Sequence, residues 1–226
     1  MSARRSPPVK GTALYVHGLW MTGAESLVLR RRLAARGWAL RVFRYSSLRE
    51  PMDAVVRRCA RQAQELARRT SKPVHLLGHS LGGIVIYRMF ETGLLKADEF
   101  CGDFCRVVFA GTPARGSAAA RVLGQHPLLR KMLGHTGERD LLQGLPMAWP
   151  FPPQLGIIAG SGGKGLGMLV TRLPSPHDGT VSVAETELDG ATDRCVLPLS
   201  HALMCMAPGM AEQTVRFFEQ GRFSAC

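Results

Sequence analysis

Gly78-His79-Ser80-Leu81-Gly82-Gly83 is the segment of this chain whose residue types and spacing could do covalent chemistry. A serine hydroxyl is a weak nucleophile until a neighbouring base takes its proton, so the surroundings of Ser80 decide its meaning. A short apolar run, Val74 to Leu77, precedes it, and a helical pattern from Leu81 to Phe90 follows. A serine at a sharp strand-to-helix turn adopts strained backbone angles, and its neighbours must leave room. Gly78 and Gly82 supply that room, with His79 between the first glycine and the serine. Such a turn exposes the hydroxyl beside a helix N-terminus, where backbone N–H groups face developing negative charge. The Gly-x-Ser-x-Gly spacing alone arises by chance in roughly one chain of this length in five to ten. Position carries the argument; a purely structural glycine-rich turn is the alternative.

A base and an orienting acid must come from elsewhere. Of the seven histidines, His201 stands at the carboxyl end of the final strand-like run, Val196 to Leu199. Asp178 lies in Pro176-His177-Asp178-Gly179-Thr180-Val181, ahead of that run, where an Asp-Gly turn can aim a carboxylate inward. Ser80, Asp178 and His201 come in the chain order expected when the nucleophile sits on such a turn. The other histidines fit less well. His79 adjoins the serine, His75 lies inside a strand, and His177 abuts Asp178. His126 and His135 fall in an irregular segment, and His17 precedes a loop where a structural task is expected. Asp189 and Asp193, and more weakly Glu185, compete for the acid position. In His17-Gly18-Leu19-Trp20, which follows the first strand, the N–H of Leu19 could join that of Leu81 as an oxyanion hole. Trp20 and Met21 would then flank the substrate pocket; an ordinary strand-to-helix turn is the alternative.

The elements that must position these residues alternate between strand-like and helix-like, the pattern of a mostly parallel sheet covered by helices, an α/β fold. Strands are expected at Ala13 to His17, Leu40 to Tyr45, Val74 to Leu77, Arg106 to Ala110, Leu155 to Ala159 and Cys195 to Leu199. Thr22 and Glu25 stand at capping-box spacing for a helix that Gly37 ends. After Pro51, residues Met52, Val55, Val56, Cys59, Ala63 and Leu66 recur on one helical face. Val215 to Phe218 belong to a closing helix. Between about residues 116 and 153 the alternation fails: glycines and prolines interrupt leucines, Trp149 and Phe151. A small helical cap over a pocket is expected there, inside one domain spanning 1–226; a helical excursion on the sheet surface is the alternative.

Composition narrows the rest. The chain has 226 residues, 46% hydrophobic and 20% charged, a balance suited to a globular domain. The net charge of +12 rests largely on arginines of two helices, Arg30 to Arg36 and Arg57 to Arg69, where a solvated basic face is expected. No nucleic-acid motif accompanies it, so no nucleic-acid partner is expected; weak attraction to an anionic membrane surface is the other reading. The six cysteines show no zinc-type spacing and are expected to be reduced. Arg4 and Arg5 precede an apolar stretch too short for a signal peptide, so a cytoplasmic location is expected. Gly160-Ser161-Gly162-Gly163-Lys164-Gly165-Leu166-Gly167 looks fit for phosphate but lacks a P-loop ending, and reads as a mobile glycine-rich loop near the acid. No metal and no cofactor are expected.

On these residues the chain resembles the lipase and esterase branch of the α/β-hydrolase superfamily, from His17-Gly18 to His201. Ala110-Gly111-Thr112-Pro113-Ala114-Arg115-Gly116-Ser117 resembles a Gly-Thr-Pro-His-x-Gly-Ser stretch of bacterial lipases, with Ala114 in place of the histidine. Asp178-Gly179-Thr180-Val181 resembles the Asp-Gly-x-Val segment that carries the acid. The resemblance implies an α/β-hydrolase fold and a serine hydrolase acting on small-molecule or lipid esters through an acyl-enzyme. Acyl transfer by the same three residues and a non-catalytic binding protein are the competing functions.

Overall fold

Strands rich in Val, Ile and Leu on both faces must be covered on both faces, and the chain obeys this from its first element. The computed structural model describes residues 9–70, 73–96, 105–146, 148–163 and 165–224. Six strands, β1 (Gly11–Val16), β2 (Trp38–Phe43), β3 (Val74–His79), β4 (Arg106–Ala110), β5 (Gln154–Gly160) and β6 (Asp193–Leu197), form one sheet in the order β2-β1-β3-β4-β5-β6. Every pairing is parallel. Leu14 and Val16 join one apolar cluster while Ala13 and Tyr15 join the other, the alternation of a strand buried on both sides. The chain steps from β1 out to β2, then crosses to β3 on the opposite side of β1. Order therefore reverses between β1 and β3, where open α/β sheets leave a crevice at the carboxyl ends of their strands.

Helices α1 (Leu27–Ala34), α2 (Met52–Thr70) and α3 (Leu81–Glu91) follow β1, β2 and β3. Val55, Val56, Cys59 and Ala63 of α2 are buried, with Met52 and Leu66 packed beside them, while Arg57, Arg58, Arg61, Arg68 and Arg69 are exposed. Gly37 ends the first helical passage with φ 82°, a left-handed backbone that suits glycine.

Four local expectations fail. The capping box does not form, because the Tyr15 hydroxyl of β1 donates to Glu25 at 3.1 Å. The chain instead enters α1 through a short 3-10 turn, Ala24–Ser26. β2 starts and ends two residues earlier than expected, which frees Tyr45 to leave the sheet, stack on His17 and donate its hydroxyl to the His17 carbonyl. β6 is likewise Asp193–Leu197, so His201 stands four residues beyond it. The cysteines are not all reduced: Cys195 is disulfide-bonded, with a partner outside the described residues, whereas Cys59, Cys105 and Cys205 are buried thiols.

After β4 come α4 (Ala118–Gly124), α5 (Pro127–Arg130), a 3-10 turn (Lys131–Leu133) and α6 (Gly134–Gln143). α6 is fixed to α3 by a bidentate pair in which Arg88 donates to buried Asp140, Nε to Oδ2 at 3.1 Å and Nη2 to Oδ1 at 2.5 Å. Gly137 lets the two helices close up, since a Cβ there would lie 3.1 Å from the Leu81 side chain. Trp149 packs edge-on to Phe90 and Phe109 as the chain returns to β5. The closing helix, α7 (Pro208–Gln220), lies on the opposite face with α1. Among the described residues no helix is long and apolar enough to cross a membrane.

Candidate active site

Ser80 sits where β3 becomes α3, with φ 54° and ψ −123°. Among the described residues only Ser80 and Trp20 (φ 60°) hold positive φ without being glycine, and such backbones cost about 1–3 kcal/mol each. The surroundings impose the strain. The Ser80 N–H donates to the Ala110 carbonyl at 2.9 Å. A Cβ at Gly82 would lie 2.0 Å from the Val16 carbonyl oxygen, and one at Gly78 would lie 2.5 Å from Gly83 Cα. Gly83 itself faces the Thr112 side chain, where a Cβ would meet Oγ1 at 2.2 Å. The loop after β1 closes the other side: a Cβ on Gly18 would lie 2.9 Å from that of Ser80. Ser80 thus occupies the crevice where the strand order reverses.

His201 and Asp178 meet there from the other side of the sheet. His201 Nδ1 lies 2.6 Å from Asp178 Oδ2, and the His201 N–H donates to the Asp178 carbonyl at 2.9 Å. Asp178 is fully buried, and its Oδ1 accepts from the N–H groups of Thr180 at 2.9 Å and Val181 at 2.7 Å. Its orientation is therefore set by its own turn. Gly111, with φ 57°, leaves space for the pair, as a Cβ there would stand 3.0 Å from His201 Nδ1. Ser80 Oγ forms no hydrogen bond with the imidazole among the described residues. Such contacts are often long without substrate and tighten in the complex.

The other histidines hold structure. His79 is fully buried and donates from Nε2 to the His201 carbonyl at 3.2 Å, which leaves its Nδ1 without a partner among the described residues. Burial, then the neighbouring His201, pushes the His79 pKa down to about 3, so it stays neutral and supports the backbone of His201. His17 donates from Nδ1 to the Gly18 carbonyl at 2.9 Å and accepts the Tyr45 N–H, and burial lowers its pKa. His75 accepts the Arg106 N–H at 3.1 Å, and burial takes it to about 4. His177 accepts the Gly179 N–H. The rival acids are occupied elsewhere or exposed: Asp193 accepts from Arg194 and Phe223, and Asp189 is exposed.

Ser80 and His201 border one cavity of about 430 Å³. Leu19, Trp20 and Met21 line it from the loop after β1, and Leu123, Leu133 and Leu141 from the segment between β4 and β5. Leu81 is buried and does not line it; its N–H stands at the first position of α3, next to Ser80. The Leu19 N–H has no acceptor among the described residues. The arrangement can take a proton from a serine, hold the resulting imidazolium against a carboxylate, and offer unpaired N–H groups to an oxyanion. No group of three His, Cys, Asp or Glu side chains among the described residues is arranged to hold a metal ion.

A family model described as the alpha/beta hydrolase family matches residues 13–213. The chain belongs to that family. It is a hydrolase at the level of the family, and its six-stranded parallel sheet flanked by helices is the fold expected of one. The α/β-hydrolase is similar in fold to the mature form of the lipase BlEst2 of Bacillus licheniformis, with a TM-score of 0.70 and 17% identity over 97% of this chain and 95% of that one. It is also similar to the phospholipase PlaB of Legionella pneumophila, with a TM-score of 0.59 and 18% identity, covering 77% of this chain and 45% of the phospholipase. A lipase-esterase related protein from Clostridium acetobutylicum gives a TM-score of 0.56 and 13% identity over 94% and 96% of the two chains. No curated protein matches the α/β-hydrolase by sequence.

Three features of this α/β-hydrolase escaped the reading of its sequence. The glycine-rich run after β5 packs at its end on the acid turn: a Cβ at Gly165 or Gly167 would lie 2.8 Å from Gly179 or Thr180. Leu166 within it, and Leu169 and Val170 just after it, line the cavity. Their apolar pattern beyond the glycines was the available signal. Glu185, weighed only as a rival acid, is buried and accepts from the Ser182 N–H at 2.7 Å, the Ser182 hydroxyl at 2.9 Å and the Ala118 N–H at 2.5 Å. Ser47 is buried and accepts the Trp20 N–H at 3.1 Å, with no local signal to reveal it.

Proposed function

We propose that this α/β-hydrolase cleaves carboxylic esters, with Ser80 as nucleophile, His201 as base and Asp178 as the acid that orients it. The observation that carries the reading is the meeting of strained Ser80 and the Asp178-paired His201 at one apolar cavity. In the first step Ser80 Oγ attacks the ester carbonyl while His201 Nε2 takes its proton. The tetrahedral oxyanion is held by the N–H groups of Leu19 and Leu81. Collapse breaks the bond to the alcohol oxygen, which receives that proton from His201 and leaves an acyl-Ser80 ester. Water then gives a proton to His201 and attacks the acyl carbon, releasing the acid and restoring Ser80.

The leucines bordering the cavity favour an apolar acyl group, and residues 116–153 serve as its cap. Leu166 and Leu169, 63% and 83% exposed, add apolar surface at the cavity wall and favour a lipid ester over a polar one. The fold likeness to a lipase and a phospholipase supports the same class. The disulfide of Cys195 favours an oxidising compartment over the expected cytoplasmic one.

Labelling with a fluorophosphonate probe tests the reading. The native chain should label, Ser80→Ala should not, and His201→Ala should label at least 100-fold more slowly, the scale of a lost general base. A folded native chain that neither labels nor hydrolyses any ester would overturn it and bring forward the binding-protein reading.

A further inference from the structure

The loop between β1 and α1 is held more firmly than an ordinary strand-to-helix turn requires. Trp20 shares with Ser80 a strained backbone, yet the residue is 45% exposed, while the other two tryptophans, Trp38 and Trp149, are buried. Glycine would take φ 60° without strain, so the strain comes with having an indole at this place. Two anchors hold the residue, both from distant parts of the chain. Its N–H donates to Ser47 Oγ, and its indole Nε1–H donates to the Met132 carbonyl at 2.8 Å.

The anchors are joined to each other. The Ser47 carbonyl accepts the Thr136 N–H at 3.3 Å, and Gly134 packs onto it so closely that a Cβ would stand 2.3 Å away. Met132 lies in the turn leading into α6, and its neighbour Leu133 lines the cavity. A closed ring therefore runs from Trp20 through Met132, the start of α6 and Ser47 back to Trp20. It ties the Leu19 loop to the wall against which an acyl chain would lie.

Resting on the ester-hydrolase reading, we infer that Trp20 is a positioning residue that couples the acyl cavity to the oxyanion donor of Leu19. Ser47 fixes the peptide that follows Leu19 and so aims the Leu19 N–H. The Met132 carbonyl holds the indole as a wall of the cavity. An acyl chain long enough to press on the indole bears on the same loop, so binding energy from the remote chain is expressed in the transition state. Preference for longer acyl groups then shows in kcat as well as in KM.

The test uses Trp20→Phe and Ser47→Ala with p-nitrophenyl acetate and p-nitrophenyl octanoate, each variant checked for its melting temperature. Ser47→Ala should lower kcat about tenfold on both esters with KM within about twofold, less than the 10²- to 10³-fold loss of a whole oxyanion donor. Trp20→Phe keeps an aromatic ring without the N–H. It should lower the octanoate kcat about tenfold, and the acetate kcat less than about threefold, on the scale of a sub-ångström misplacement. A second readout needs no turnover: octanoic acid added to Ser80→Ala should shift tryptophan emission, and the shift should vanish in Ser80→Ala/Trp20→Phe. Variants that melt lower but keep native kcat on both esters, with the emission shift unchanged, would overturn the inference while leaving ester hydrolysis intact. An emission shift that depends on Trp20 in a protein that cleaves no ester would instead sink the hydrolase reading and keep Trp20 as a cavity wall.

Discussion

The two sides of the site are built by different physics. On the nucleophile side, Ser80 is fixed by exclusion: Gly18, Gly78, Gly82 and Gly83 let backbones and side chains approach to distances that any Cβ would block. On the acid side, where Gly111, Gly160, Gly165 and Gly167 also permit close approach, donors and acceptors do the aiming: the Thr180, Val181 and His201 N–H groups all bond to Asp178, and Glu185 binds the next turn through Ser182. The first side should therefore fail when volume is added, and the second also when a hydrogen-bonding atom is exchanged at constant volume. Substitutions that respect one rule and break the other separate the two.

The largest effect belongs to the acid side. Asp178→Asn keeps the volume but can present an NH2 where His201 Nδ1–H needs an acceptor, favouring the wrong tautomer. A fall in kcat of about 10⁴-fold is expected with the melting temperature little changed, by analogy with triads of this kind. Steady-state kinetics beside a thermal melt check it, and a loss below tenfold would remove Asp178 from the acid role.

Gly82→Ala is the counterpart on the nucleophile side. One methyl group, 2.0 Å from the Val16 carbonyl, forces β1 and α3 apart. A loss of at least about 4 kcal/mol is expected, in the range that marks a named structural fault. For a chain of this size that is roughly 10 °C or more in Tm, read by calorimetry. A variant melting within about 2 °C of the native chain would mean that the approach is looser than its geometry indicates.

The strand that leads to Ser80, β3, also contains buried neutral histidines, and acid should find them. His79 and His75 have pKa values pushed down to about 3 and about 4 by burial, against about 6.5 in an unfolded chain. Below pH 6.5 the unfolded chain binds protons that the folded one refuses, so their contribution is complete above pH 6.5 and is lost as pH falls toward the folded values. By pH 5 each should have cost about 2 kcal/mol of stability. Urea melts at pH 7 and pH 5 measure this, and His79→Gln, which keeps a donor for the His201 carbonyl, should remove about 2 kcal/mol of the difference and leave the shares of His75 and His17.

The same difference explains what the sequence made legible. Steric rules are local, so Gly78, Ser80 and Gly82 could be read from one hexapeptide, and the parallel α/β sheet from the alternation of apolar runs. Asp178 and His201 were approachable because strand ends are local as well, and the structure brings them together although their roles stand as a proposal. Hydrogen bonds between distant segments leave no local pattern. Nothing near Ser47 announces Trp20, and Tyr15 takes the Glu25 carboxylate that a capping box would use. The Cys195 disulfide was missed for a related reason, since spacing says nothing of pairs brought together by folding.

The smallest expected effect on turnover tests the acid side at constant volume, away from the three reacting groups. Glu185 gives one oxygen to both donors of Ser182 and the other to the Ala118 N–H at the start of α4, with Arg121 at 3.9 Å. Glu185→Gln preserves shape but replaces one acceptor with an NH2 that must face an N–H or a hydroxyl. Losing a hydrogen bond to a charged acceptor in a buried place costs about 1.5–3 kcal/mol, or roughly 3–12 °C in Tm. Because Glu185 bridges the turn after Asp178 and the wall that holds Ser117, Ala119 and Ala120, kcat should fall as well, by less than about tenfold. Glu185→Asp, which keeps the charge and shortens the reach, should be no better. If the isosteric variant were as stable and active as the native chain while Glu185→Asp failed, volume would govern this side too, and the contrast between the two sides would collapse.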